Sequence, residues 1–187
     1  MIDRLGARFN LALPLLLTVA SAAAAQQRDS VLVRGSRFEP HIEVAGPAYG
    51  VPENPNTTRL LRTFIDRKSG VTSHQVYVID EYWAQTRRGW FQANDEQALP
   101  LELMEIAADV ASCGGSGRCE YREEVAVTVS DSALRAFPNG YGIKLYARDG
   151  SQLVVTTTAD QIRLQLQKVD SIVGTIITKP VGAARRS

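Results

Sequence analysis

Polar and apolar positions alternate most regularly after Arg59, and the alternation comes in pairs of runs joined by turn residues. Leu60–Asp66 and Val71–Tyr82 are rich in Val, Ile, Phe and Tyr, and Arg67-Lys-Ser-Gly70 between them has the composition of a hairpin loop. In the simplest register of that hairpin His74 faces Thr63. Leu101–Ser112 and Glu120–Val129 form a second pair, and Ile143–Arg148 and Gln152–Thr157 a third. The third pair turns on Asp149-Gly150, and Asp-Gly between alternating runs is a strong hairpin signal.

The period shifts to that of a helix in two places. Ser130 can cap a short helix over Asp131–Phe137, which Pro138 stops. Thr158-Ala-Asp-Gln161 has the form of a capping box, and Ile162, Leu166, Val169 and Val173 follow on one stripe. Gln165, Gln167 and Lys168 are expected to face water, and Gly174 to end the helix. Ile176-Ile177 then leads into a basic tail ending Arg185-Arg186-Ser187. The expected fold is α+β: a mostly antiparallel sheet of about six strands in three hairpins, with a short helix and a C-terminal amphipathic helix packed on it.

Register adds a sharper expectation. With Cys113 opposite Cys119, strict pairing sets Asp109 against Glu123 and puts Met104, Ile106, Ala108 and Val110 on the face opposite Val125, Val127 and Val129. One extra residue repairs the mismatch, so a β-bulge is expected in this hairpin.

The N-terminus reads differently. Arg4 and Arg8 precede the apolar run Leu11–Ala20, and the small residues Ser21–Ala25 precede Gln26-Gln27. That order is a signal peptide with cleavage after Ala25. The run is too short for a bilayer-spanning helix, and no later stretch is apolar enough for one. Residues 26–57, broken by Pro40, Pro47, Pro52 and Pro55, read as an extended Pro/Gly-rich arm with strand-like alternation only at Ser30–Arg34. Residues 58–174 then make a single β-rich domain, and 175–187 a basic flexible tail.

Charge narrows the partners. The formal net charge is +1, and Asp3, Arg4 and Arg8 account for it, so the exported part is near neutral. Nucleic acid is not expected, because phosphate binding needs a basic face. The two cysteines, Cys113 and Cys119, flank Gly114-Gly-Ser-Gly-Arg118. In an exported chain the pair reads as a disulfide stapling a hairpin mouth. Redox spacing of the Cys-x-x-Cys type is absent, and no further soft ligands lie nearby for a metal.

Candidate chemistry is sparse. His41 sits in the arm, and His74 reads as a structural histidine on a strand, since no nucleophile elbow or assignable acid accompanies it. Glu102, Glu105, Asp109, Glu120, Glu123 and Glu124 describe a solvated strand surface as well as a hydrolytic pair. The densest region is Asp80–Asp95, where Tyr82, Trp83, Arg87, Trp90 and Phe91 could form a ligand platform, or else cover the open end of the sheet. No cofactor is expected, since no phosphate loop, dinucleotide fingerprint or metal spacing occurs.

These readings converge on a periplasmic or secreted, non-enzymatic protein that binds a small molecule or an envelope partner. Two alternatives stand beside it: a hydrolase of envelope polysaccharide or peptide using sheet carboxylates, and an interaction protein that works by strand addition.

Overall fold

The two histidine-bearing and cysteine-bearing hairpins are the long ribs of the molecule. The computed structural model describes residues 30–178; the signal peptide read over 1–25 and the tail beyond Thr178 lie outside the described residues. The chain begins with β1 (Leu32–Arg34), β2 (His41–Ala45), β3 (Tyr49–Val51) and β4 (Asn54–Asp66). There follow β5 (Thr72–Ala84), β6 (Trp90–Asp95), β7 (Pro100–Leu101), β8 (Leu103–Cys113) and β9 (Cys119–Val129). The last elements are α1 (Asp131–Ala136), β10 (Gly140–Ala147), β11 (Gln152–Thr158) and α2 (Ala159–Ile177).

All pairings are antiparallel. One sheet runs β1-β2-β4-β5-β9-β8, with β3 alongside the first half of β4; the other runs β11-β10-β6-β7. Among the described residues the architecture is thus mostly antiparallel β-sheet with two helices, as expected, but it has eleven strands in two sheets. The additional strands come from segments whose prolines and glycines mask their pairing. The described part of the 26–57 segment contributes β1, β2, β3 and the start of β4, and the boundary drawn at 57/58 falls inside β4. Short edge strands tolerate such residues because only one side of the backbone must pair.

The core lies between the two sheets. Leu61, Val76, Val78, Val125, Val127 and Val129 of the larger sheet pack on Trp90, Ala93, Ile143, Leu145, Leu153 and Val155 of the smaller one, with Ile162 and Leu166 of α2 closing the side. A second cluster joins Val44, Ile65 and Val169, with Ile172, Val173 and Ile176 against it. That contact carries α2 past Gly174 to Ile177, which corrects the expected stop at the glycine. Glycine inside a helix costs about 1 kcal/mol, less than the burial of Val173 and Ile176 returns.

Thr63 pairs with His74 in the register expected. Ser130 caps α1, and Thr158 and Gln161 form the reciprocal capping box of α2. The cysteine hairpin contains register shifts between Glu105 and Ala107 and between Val110 and Ser112, so two irregularities replace the single bulge expected. Asp109 consequently faces Arg122, not Glu123. The shifts do not bury the apolar side of β8, whose Ile106 and Val110 stay 44% and 57% exposed at the sheet edge.

Gln165 also departs from expectation. It is fully buried, and its Nε2 donates to the Val44 carbonyl and to Thr63 Oγ1, both at 2.8 Å. Gly46 makes the room: a Cβ there would come within 2.9 Å of Gln165 Oε1.

Candidate functional site

The pleat divides the aromatic residues of Asp80–Asp95 between two faces. Successive side chains on a strand point to opposite sides, so Tyr82 turns inward at 6% exposure while Trp83 turns outward at 47%. Trp90 and Phe91 separate in the same way, at 3% and 51%. The β6–β10 register shift falls at Phe91, between the Tyr146–Gln92 and Ala147–Trp90 pairs. Only residues 85–89 form a loop, and that loop carries the chain from the larger sheet to the smaller.

Tyr82, Arg87 and Trp90 are brought together, by two buried carboxylates. Asp80 and Glu123 face each other across β5 and β9, and neither is more than 1% exposed. Asp80 Oδ1 accepts from Thr57 Oγ1 at 2.7 Å and Asn54 Nδ2 at 3.3 Å. Its Oδ2 accepts from Arg88 Nη1 at 2.7 Å and Trp90 Nε1 at 3.2 Å. Glu123 accepts from the Tyr82 hydroxyl, from the Gly89 amide at 3.0 Å and from the Trp90 amide at 3.4 Å, with Arg87 Nε at 3.5 Å. The Arg88 guanidinium lies 4.1 Å over the Tyr82 ring, and its amide donates to Tyr82 Oη at 2.7 Å. Burial, then the bond to Glu123, pushes the Tyr82 phenol well above its usual value. Both acids are engaged on both oxygens, so the cluster ties the 85–89 loop to the sheet. The cavity beside it, about 250 Å³, is lined by Arg87, Arg88, Gly89, Glu105 and Arg148; the rings and the two acids are not part of that wall.

Trp83 lies instead near the cysteine loop. Its carbonyl accepts from Arg118 Nη2 at 2.7 Å, and Cys113 and Cys119 are joined in a disulfide, directly paired at the hairpin mouth. His74 is more deeply placed than a half-exposed strand residue. Its Nδ1 lies 2.9 Å from Thr63 Oγ1 and its Nε2 lies 3.2 Å from Asp131 Oδ1. Since Gln165 donates to Thr63 Oγ1, the Thr63 hydroxyl can donate to Nδ1, and Nε2–H then donates to Asp131. Burial holds the imidazole below its ordinary pKa, with Asp131 opposing. The set has a hydroxyl, an imidazole and a carboxylate in line, but Thr63 and His74 are 0% and 1% exposed, out of a substrate's reach.

A larger open groove lies elsewhere, on the outer face of the larger sheet. It encloses about 780 Å³, and Leu60, Arg62, Tyr77, Ile79 and Glu124 are among the residues that line it. The β2–β3 connection supplies further lining through Pro47 and Ala48. The Arg62 guanidinium carbon lies over two rings, 4.2 Å from the centroid of Tyr77 and 5.1 Å from that of Phe64, and its Nη2 donates to Gln75 Oε1 at 3.0 Å. The Tyr77 hydroxyl donates to Glu124. Burial and that bond push the Tyr77 phenol up to about 12, while the same bond, together with Arg122, holds Glu124 below the ordinary carboxylate range.

The sequence reading missed this groove because it followed the inward face. The available signal was that β4 and β5 carry large apolar residues on both faces, since Leu60, Phe64, Tyr77 and Ile79 alternate with the core. Among the described residues, no three or more His, Cys, Asp or Glu side chains gather in a group able to hold a metal ion, and no helix is long and apolar enough to cross a membrane. In comparisons with known proteins, the chain matches no family model, no curated protein and no solved structure.

Proposed function

We propose that this is an exported binding protein that holds its ligand in the groove on the outer face of the larger sheet. The observation that carries the reading is the groove itself. Its volume of about 780 Å³ falls among the sizes typical of small-molecule sites, roughly 300–1,000 Å³. Its lining joins apolar Leu60, Ile79 and Pro47 to a small polar set of Arg62, Tyr77 and Glu124, the composition by which such sites hold and orient a ligand. The disulfide supports export, because such bonds persist in oxidising compartments. The buried state of Asp80 and Glu123 favours binding over hydrolysis by that pair, since a hydrolytic pair must reach its substrate.

Mass spectrometry on protein from its own exported fraction tests the reading. The denatured mass reports cleavage after Ala25, and an uncleaved mass overturns export. The native spectrum is expected to carry an adduct. Gly50 lines the groove, and a Cβ there meets nothing within 4 Å. Gly50→Phe therefore fills the groove from its rim and is expected to abolish the adduct while leaving the melting temperature within about 2 °C. A bare native mass, or an adduct that survives Gly50→Phe, overturns the groove as the site.

A second reading has its own support. β8 is an eleven-residue strand at the sheet edge, with Ile106 and Val110 exposed. An open edge of that length can accept a partner strand. Its two register shifts are of the kind that discourage such pairing, which places this reading second.

A further inference from the structure

We infer that the groove ligand is an amphipathic carboxylate, whose anionic head is read by Arg62 and whose apolar body lies on Leu60, Ile79 and Pro47. The inference rests on the groove reading above and deepens it. Its basis is the state of the charges on the groove floor. Arg122 lies on the same sheet face and takes two acids, Glu81 through Nη1 at 2.9 Å and Glu124 through Nη2 at 2.7 Å. Glu124 also accepts from Tyr77. At the groove rim Arg34 and Glu43 are cross-strand neighbours. Among the described residues neither Arg34 at the rim nor Arg62 on the floor has a carboxylate within ion-pair distance.

Its hydrogen bonding is incomplete as well. Nη2 is used on the neutral Gln75 amide, and Nε is buried with no acceptor. That Nε is closed off from a ligand as well, whereas Nη1 makes no hydrogen bond within the described residues and is not closed off, so it is the donor an outside acceptor can meet. The guanidinium carbon lies over both the Tyr77 and the Phe64 ring, contacts that restrict where it can move. The planar Nη1–Nη2 edge of a guanidinium matches a planar carboxylate, which can accept two parallel N–H bonds. Glu124 does not block this, because its oxygens are already turned to Tyr77 and Arg122.

The apolar part follows from the neighbours. Leu60 and Ile79 are both partly exposed residues of the outward face, Leu60 two places before Arg62 on β4 and Ile79 two places after Tyr77 on β5. An aliphatic chain lying across these strands from Arg62 meets them in turn.

The test uses the mature protein, nitrogen-labelled and titrated below micelle concentrations with decanoate, decanol or decyltrimethylammonium, with amide shifts as the readout. Decanoate is expected to move groove-floor amides of β4 and β5 and to bind at least about tenfold tighter than decanol, the worth of one charge-assisted hydrogen bond. Arg62→Gln is expected to bring decanoate to the level of decanol, and Arg62→Lys, which keeps the charge but not the fork, to lie between. Unchanged spectra away from the groove show that each variant is folded. Equal groove binding of decanoate and decanol, or tighter binding of the cation, overturns the carboxylate reading and leaves the groove reading standing. Failure of all three to shift groove amides overturns both.

Discussion

Glu123→Gln asks how much the buried acid cluster holds. The substitution keeps the size of the side chain and turns one acceptor oxygen into a donor. Glu123 Oε1 serves the Tyr82 hydroxyl and the Gly89 amide; Oε2 serves the Trp90 amide and faces Arg87 Nε. Whichever oxygen becomes the NH₂ group, one backbone amide of residues 89–90 loses its acceptor inside the protein. An orphaned buried donor costs on the order of 1–3 kcal/mol. Arg87 adds less than about 1 kcal/mol, because it is 38% exposed and retains Glu105. Together the loss is about 1–4 kcal/mol, or roughly 2–16 °C in Tm for a domain of this length. Urea unfolding followed by tryptophan fluorescence measures the free energy, since Trp90 touches both acids. Hydrogen exchange at the Gly89 and Trp90 amides locates the damage. A destabilisation under about 1 kcal/mol, with exchange at both amides unchanged, would refute the argument that this acid anchors the loop. Arg87→Gln serves as the contrast and is expected to cost less than about 1 kcal/mol.

Three further outcomes are expected. Gly46→Ala should destabilise by about 1–3 kcal/mol through its approach to Gln165 Oε1; in a Gln165→Ala background most of that penalty should vanish in denaturant melts, and an equal penalty in both backgrounds would discard the contact as its cause. Stability should fall as pH drops below the ordinary histidine value of 6.5, because the folded state holds His74 neutral while the unfolded chain takes up a proton there; the groups facing it are Asp131, Arg135 and Asp170, and melts of His74→Gln between about pH 8 and pH 5 should lack this slope. Replacing Cys113 and Cys119 by Ala should cost about 2 kcal/mol, since the bond closes a loop of only six residues' separation; faster amide exchange confined to the tips of β8 and β9 would accompany it, and global loss of protection would contradict a local staple.

Local chemistry was legible in this chain wherever neighbouring residues decide the outcome. The Thr63–His74 register, the Ser130 and Thr158 caps, the Asp149-Gly150 turn and the Cys113–Cys119 staple all depend on residues close in sequence, and all are found. The candidate site was legible only in part. Tyr82, Arg87 and Trp90 do meet, but Trp83 and Phe91 do not join them, because the pleat sends adjacent side chains to opposite faces. That rule was available in the sequence, whereas the partners that collect the three were not. Asp80 meets Glu123 only because β9 pairs with β5 across three intervening strands.

The same division explains the remaining differences. Alternation and turn residues determine which segments are extended and where they reverse, since those preferences act over a few bonds. They do not say which sheet a strand joins. The second sheet, the pairing of β1 to β3, the burial of Gln165 and the run of α2 past Gly174 were decided when distant apolar faces closed on each other. Gln165 looks like a solvent residue on its helix, and becomes a core residue because Val44 and Thr63, more than a hundred positions earlier, present two acceptors to its side-chain NH₂ group. The groove around Arg62 has the same origin: its floor comes from β4, β5 and β9, its rim from β1 to β3, and packing alone brings them to one place.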